Sequence, residues 1–391
     1  MRSRIWLWAA VLLLAAGYFV IDVRQRARVD RGLKRHRTDF TVYQAAAQAL
    51  QRGEDPYEAR NPRGYRYVYP PLLAVLLQPV ADWEPQNAAL VFYVLSVLAI
   101  IGAVLLLRRI AGGRELPLIA AAVVCLGFAH QGFQRGQVTH ILLFLQVAAL
   151  ALLITRRFAL AGLLLGIGVA LRLTPALPAF AVGIGLAAGA LTRRGIHPPL
   201  RFGGGLAGGM LLGFVIIPVL WLGTERATEV GDRWVQVTRE VYSDNVDLDA
   251  DYKINEWRFK NQAPRRVYGT WAGWLTEARF EKEAPQLRAG TLRAVDTAAG
   301  VTTWGLVGLV FLLALVFLRD TQQPSYALLY AVVVLLPVLM TRYAWPTHYL
   351  MAAPALVLAA RRDWFARPVL ILFLGTALFL SLIHISEPTR R

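Results

Sequence analysis

Long uncharged apolar blocks constrain this chain more than any other feature. Residues 87–107 and 202–222 contain no Asp, Glu, Lys or Arg. A helix rises about 1.5 Å per residue and the hydrocarbon core of a bilayer is ~30 Å thick, so about 20 apolar residues cross it. Inside lipid every backbone polar group needs an internal partner, which leaves helices and closed barrels as spanning structures. Blocks of this length point to helices. Further apolar blocks cover 5–21, 116–132, 138–154, 158–171, 174–191, 298–318, 326–340, 347–360 and 368 to about 380. The expected fold is an all-α polytopic membrane protein, a bundle of about eleven transmembrane helices. Composition agrees: hydrophobic residues make up 56% of the chain and charged residues 17%, against about a quarter charged in soluble domains.

The net charge of +17 invites a nucleic-acid reading, but its distribution argues otherwise. With the N-terminus inside, the short inner segments hold Arg2, Arg4, Arg108, Arg109, Arg114, Arg156, Arg157, Arg193, Arg194, Arg201, Arg319, Arg361, Arg362 and Arg367, against Glu115, Asp320 and Asp363. That asymmetry is the positive-inside signal. The short outer segments carry Arg135, Arg172 and Arg342. The single cysteine, Cys125, precludes an internal disulfide and offers no metal-binding cysteine pattern. A strong preference for arginine over lysine, with abundant Ala and Gly, suggests a GC-rich bacterial genome.

These rules divide the chain. Residues 1–21 form a first span that reads as an uncleaved signal anchor, since it runs directly into Asp22 and Arg24. Residues 22–86 form an outer loop, 87–222 a set of membrane helices, 223–297 a second large outer loop and 298–379 the later helices. The terminal residues 380–391, LSLIHISEPTRR, read as translated sequencing-library adapter; they are set aside, and the native C-terminus is expected to be missing. Within 158–191 the apolar run is broken by Arg172, Pro175 and Pro178. A hairpin turn fits this break, and a single kinked helix competes with it.

The first outer loop opens with basic residues from Arg24 to Arg37, suited to anionic lipid head groups. Thr38 and Asp39, both good N-cap types, precede Phe40, Tyr43, Ala46, Ala47 and Leu50 at helical spacing, so an amphipathic juxtamembrane helix is expected, stopped at Gly53. Asp39 is either a helix cap or a general base just above the membrane, and one residue can be both. Tyr65, Tyr67 and Tyr69 alternate and should share one side of an extended stretch. An interfacial aromatic belt and sugar stacking both fit them. Pro70–Ala81 is apolar but too short to span, and is expected to lie at or dip into the outer interface.

The strings DFTVYQAAAQALQRGEDPY and YVYPPLLAVLLQPVA, followed by FQRGQVTHILLFL, GLLLGIGVALRLTPALP, RYAWPTHYLMAAPAL and, more weakly, KNQAPRRV, resemble glycosyltransferase family 87 of the GT-C superfamily over about residues 5–379. The resemblance implies an inverting transfer of a sugar, with mannose the best attested, from a polyprenyl phosphate to a glycan or glycolipid acceptor on the outer face of a bacterial inner membrane. It matches Asp39 to the acid at the start of the first loop's helix, here the catalytic base. Such a reaction needs cations or donors for the departing phosphate. Arg172, Arg135 and His348, on short outer turns, are the candidates, with snorkelling or plain structural roles as the alternatives. Tyr43, Tyr57, Tyr69, Gln137, Asn261, Gln262 and Trp345 are candidates for contacts to sugar or acceptor. The chain departs from the family pattern at Ala263, at Thr139 and His140, and at Arg172, where Ser, Asn and Lys are usual.

No cofactor or metal is expected. The acidic run Asp244, Asp247, Asp249 and Asp251 lacks the glycine and terminal glutamate of a calcium loop and reads as a solvated turn. The second loop should carry helices near 225–241 and 277–295 and act as a lid or acceptor platform. The expected partners are the lipid-linked sugar, the acceptor and the bilayer, with no nucleic acid. Two other functions compete: a polyprenyl-lipid or glycolipid transporter or flippase, and an envelope scaffold. No internal repeat of the transporter kind is visible.

Overall fold

The structure is a computed structural model that describes residues 14, 16–28, 37–190, 195–242, 293–301, 304, 305, 308, 350, 351 and 353–361. Among them the regular elements are helical, with one isolated bridge between Arg60 and Arg66. After a helical stretch through Phe19–Val23 and Arg24–Ala27, the chain forms α1 (Phe40–Gln51), α2 (Pro71–Leu77), α3 (Pro85–Ile110), α4 (Glu115–Arg135), α5 (Thr139–Ile154), α6 (Phe158–Leu171), α7 (Ala176–Gly189), α8 (His197–Leu211), α9 (Ile217–Leu222), α10 (Thr224–Tyr242) and α11 (Ala353–Arg361). Through a π-helical turn at Leu212–Ile216, α8 and α9 form one run, His197–Leu222. That run and α3 are long and apolar enough to cross a membrane unaided, whereas α5, α6 and α7 are shorter apolar helices. The later spans expected from the sequence lie largely outside the described residues.

The break at Arg172 is a hairpin. Arg172 is extended (φ −164°, ψ 137°) and its N–H closes the last turn of α6 on the Gly168 carbonyl. Gly162 in α6 lies against the backbone of Phe202, and Gly183 in α7 faces the Phe202 ring. In one continuous helix those glycines would stand about 30 Å apart, beyond the reach of a single side chain.

Two glycine stripes hold α6 against α8. Gly162 and Gly166 repeat at four-residue spacing on one helix; Gly205, Gly209 and Gly213 do so on the other. A Cβ at Gly205 would sit 1.9 Å from the Ala159 carbonyl oxygen, one at Gly209 2.2 Å from that of Leu163, and one at Gly166 2.4 Å from that of Leu206. The contacts advance together along both chains, so the helices run parallel, backbone to backbone. Small residues drive this kind of packing in lipid because no hydrophobic effect separates apolar side chains from lipid tails.

The seam also seats α2. At its C-terminal end Gly213 meets Ala170 and the side chain of Leu72. Leu72, Leu73, Ala74 and Val75 are all buried against protein, and Leu76 is exposed. The short helix and the 3-10 turn after it, Gln78–Val80, leave carbonyls without helical partners. A stripe of glutamines on α1 takes them. Gln44 Nε2 donates to the carbonyls of Ala81 (2.9 Å) and Trp83 (2.7 Å), Gln48 Nε2 to Ala81 (2.9 Å) and Gln51 Nε2 to Gln78 (2.8 Å). Gln44 itself is buried. The helix α1 therefore has an apolar face and a glutamine face, both of which make contacts to protein, the latter buried at Gln44 and open at Gln51.

Two stability predictions follow from this packing. Gly205→Ala and Gly209→Ala overpack the seam and should each cost about 1–3 kcal/mol. Gly203→Ala, on the same helix with nothing within 4 Å, should be neutral or gain up to ~1 kcal/mol. Thermal unfolding of the three variants in one detergent checks the contrast; equal midpoints refute the seam. Gln44→Leu leaves the Trp83 carbonyl without its amide partner, while the Ala81 carbonyl keeps Gln48, and should destabilise by roughly 1 kcal/mol, read as a lowered midpoint.

Candidate functional site

The site begins where α4 ends. Gly136 takes the left-handed conformation (φ 60°), Gly136 N–H bonds the Phe133 carbonyl and Gln137 N–H bonds that of Gly132. This is the two-bond glycine stop of a helix C-terminus. The next carbonyl, that of Arg135, turns to the first loop. It accepts from Asp39 N–H (2.7 Å) and Thr38 Oγ1 (3.0 Å). The C-terminus of α4 and the N-terminus of α1 are thus joined through one oxygen. A Cβ at Gly136 would meet Phe40 Cβ at 2.8 Å, so the joint requires glycine for room as well as for φ.

Asp39 sits at the N-cap position of α1, yet its carboxylate makes no capping bond. Thr38 Oγ1 accepts the Phe40 N–H instead, at 3.2 Å. The Asp39 side chain, half-buried, instead accepts from Gln137 Nε2 at 2.8 Å through Oδ2. Capping and carboxylate chemistry, combined in one residue by the sequence reading, are divided between neighbours.

One turn along α1 is Tyr43, 1% exposed. Its ring packs edge-on against Tyr69 at 5.3 Å and Tyr67 at 6.4 Å. The Arg172 guanidinium carbon stands 5.2 Å over the Tyr69 ring, within cation–π range. Burial pushes the Tyr43 hydroxyl pKa well above its ordinary value; Tyr69 and Asp39 add to this, and Arg172 opposes it. The first loop's acid, the α6–α7 turn's cation and the α4–α5 turn's amide are therefore linked through one cluster of tyrosines and hydrogen bonds.

The other sequence candidates stand differently. Arg135 contributes its carbonyl. Tyr57 is fully buried, with its hydroxyl on the Tyr69 carbonyl at 3.3 Å, and packs beneath Tyr67. Tyr67 is also fully buried, so it belongs to the core and not to an aromatic belt. His348, Trp345, Asn261 and Gln262, like the acidic run 244–251, lie outside the described residues.

Sequence reasoning missed several supports. Thr139 Oγ1 contacts Gln137 Oε1 at 3.4 Å. His140 is buried, stacked 4.0 Å from Phe133, with Nε2 3.1 Å from the Ala129 carbonyl. The second loop's first helix, expected near 225–241 and found as α10, is tied to the first loop: Arg233 bonds Asp55 (2.8 Å) and Glu58 (2.6 Å), and Arg66 pairs with Glu58. The Asp55 signal was visible only as a turn former, a role it also fills by accepting the Tyr57 N–H. Ion pairs between distant loops have no local sequence signature.

Helices with long apolar stretches carry an acid, a cation and a cluster of packed tyrosines. The sequence profile of glycosyltransferase family 87 matches residues 67–341, and the chain belongs to that family. It is also 30% identical over 186 residues to GPI mannosyltransferase 1 of Kluyveromyces lactis, an alignment covering 47% of this chain. The chain spans 44% of the length of that relative. No solved structure matches.

The buried tyrosines predict a response to alkali. Tyr43, Tyr57 and Tyr67 all have hydroxyl pKa values pushed well above the ordinary one, foremost by burial. Ionisation is thus easier in the unfolded chain. Their contribution to stability is intact below about pH 10 and is lost as the pH rises from there toward the native values. Unfolding midpoints should fall above about pH 10, and less steeply in Tyr67→Phe.

Proposed function

We propose that the chain transfers a hexose, mannose by preference, from a polyprenyl phosphate to a glycan or glycolipid acceptor, on the outer face of a bacterial inner membrane, with inversion. The observation that carries this reading is the shared cluster: the Asp39 carboxylate, held by Gln137, lies one helical turn from Tyr43, which packs on the same Tyr69 ring that Arg172 covers. A base and a phosphate-binding cation are the two groups such a reaction demands.

The step balances without a further reactant. The acceptor oxygen attacks the anomeric carbon as its proton passes to Asp39. The bond from that carbon to the phosphate oxygen breaks on the opposite side, and the electron pair leaves with the polyprenyl phosphate. The growing phosphate charge is met by Arg172, with Arg135 and His348 as further cations on the outer turns. Tyr69 and, from the other loops, Asn261, Gln262 and Trp345 meet the substrate's oxygens, while Tyr43, enclosed in the tyrosine cluster, braces Tyr69. The name of the yeast relative, a mannosyltransferase, supports the donor sugar. Membership of a glycosyltransferase family does not favour the transporter reading.

Asp39→Asn should abolish transfer from labelled polyprenyl-phosphate-mannose while leaving membrane insertion and the unfolding midpoint unchanged; substantial turnover by purified D39N protein refutes the base. Arg172→Ala should weaken donor binding at least ten-fold, since a hydrogen-bonded charge contributes about 1.5–3 kcal/mol, and unchanged donor affinity removes Arg172 from the site. No metal takes part in this mechanism, so full turnover is expected in EDTA.

A further inference from the structure

We infer that Gln137 is a positioning residue for the Asp39 carboxylate and not a contact to sugar, and that Thr139 sets the orientation of its amide. The inference rests on the proposed role of Asp39 as base.

The argument starts from hydrogen-bond capacity. An ionised carboxylate only accepts, so the amide group facing Asp39 Oδ2 at 2.8 Å must be the NH2 end of Gln137. The carbonyl end then faces Thr139, whose hydroxyl donates at 3.4 Å. Gln137 and Thr139 are 5% and 1% exposed. A side chain this enclosed, with one end on the acid and the other on a threonine, is poorly placed to meet a sugar from bulk solvent.

Backbone geometry fixes the same unit. Gln137 N–H closes the end of α4 on Gly132, Gly136 leaves no room for a Cβ, and Asp39 N–H hangs from the Arg135 carbonyl two residues before Gln137. Asp39 is therefore held at its backbone by residue 135 and at its carboxylate by residue 137, both in one turn. The amide occupies Oδ2 and leaves Oδ1 as the oxygen that can receive a proton. Thr139 completes this arrangement by supplying a donor to the amide oxygen.

The test uses the full-length purified chain, radiolabelled polyprenyl-phosphate-mannose and an envelope lipid extract as acceptor. Gln137→Ala should lower kcat about 10- to 100-fold, in line with a hydrogen bond to a charged group, with donor KM nearly unchanged. Its acid limb of kcat against pH should move to higher pH, because the carboxylate loses a donor. Gln137→Glu, similar in size, sets two carboxylates face to face and should move the limb further in the same direction. Thr139→Val should do so weakly. Tyr43, whose hydroxyl lies close enough to feel the Asp39 carboxylate, and Arg172, which faces Tyr69, are the same in every variant.

Wild-type kcat and an unmoved acid limb in Gln137→Ala overturn the inference; so does a rise in donor KM alone, which marks a sugar contact. If Gln137→Ala does not fold, Gln137→Glu and Thr139→Val carry the same test. In an Asp39→Asn background Gln137→Ala should change nothing further. Wild-type turnover in Asp39→Asn alone defeats the base reading itself, an outcome distinct from failure at Gln137.

Discussion

Backbone contact between α6 and α8 is the constraint on which the rest of the bundle depends. Carbonyl oxygens of one helix lie where a side chain of the other would begin, so the pair has one register and one direction. Three features are carried by it. The hairpin at Arg172 starts from the C-terminal end of α6, α7 returns along Phe202, and Leu72 of α2 is seated beside Gly213. The Arg172–Tyr69 contact inherits its geometry from this seam, since Arg172 follows directly on α6 and Tyr69 directly precedes the Pro70–Pro71 entry to α2.

The second requirement is the satisfaction of broken backbone. A short helix that stops within the protein leaves carbonyls that water cannot reach, and each must be paired. Here three glutamines of α1 close the end of α2, and Thr38 and Asp39 close the end of α4. The helix α1 therefore works from both of its ends: its N-terminus brings the acid to α4, and its glutamine face fixes the end of α2. Its aromatic face adds Tyr43 to the tyrosine cluster. A single twelve-residue helix thus connects all the groups assigned to the reaction among the described residues.

Much of this was legible in the sequence, and the reasons are physical. Apolar length marked the helices: the boundaries at 158–171 coincide with α6, and α3, α4 and α5 fall within three residues of their expected ends. Spacing marked α1, and the N-cap pair marked its start. What could not be read were relations between distant segments. Sequence gives Asp39 as a cap-type residue, but only packing decides that Thr38 takes the cap and Gln137 takes the carboxylate. Tyr67 looks interfacial by composition, and tertiary burial places it in the core. The glycines of α6 and α8 were visible as a rich stretch, but their pairing depends on which two helices become neighbours. The partners of Gln44, Gln48 and Gln51 were hidden for the same reason, since polar residues on one helical face usually signal solvent.

The shared carbonyl of Arg135 has a mechanical consequence. The helix α4 contains 21 residues, about 31 Å of rise. Asp39 hangs from its end by its own backbone, so the carboxylate is tied to the axial position of α4, and any tilt or shift of that helix carries the acid with it.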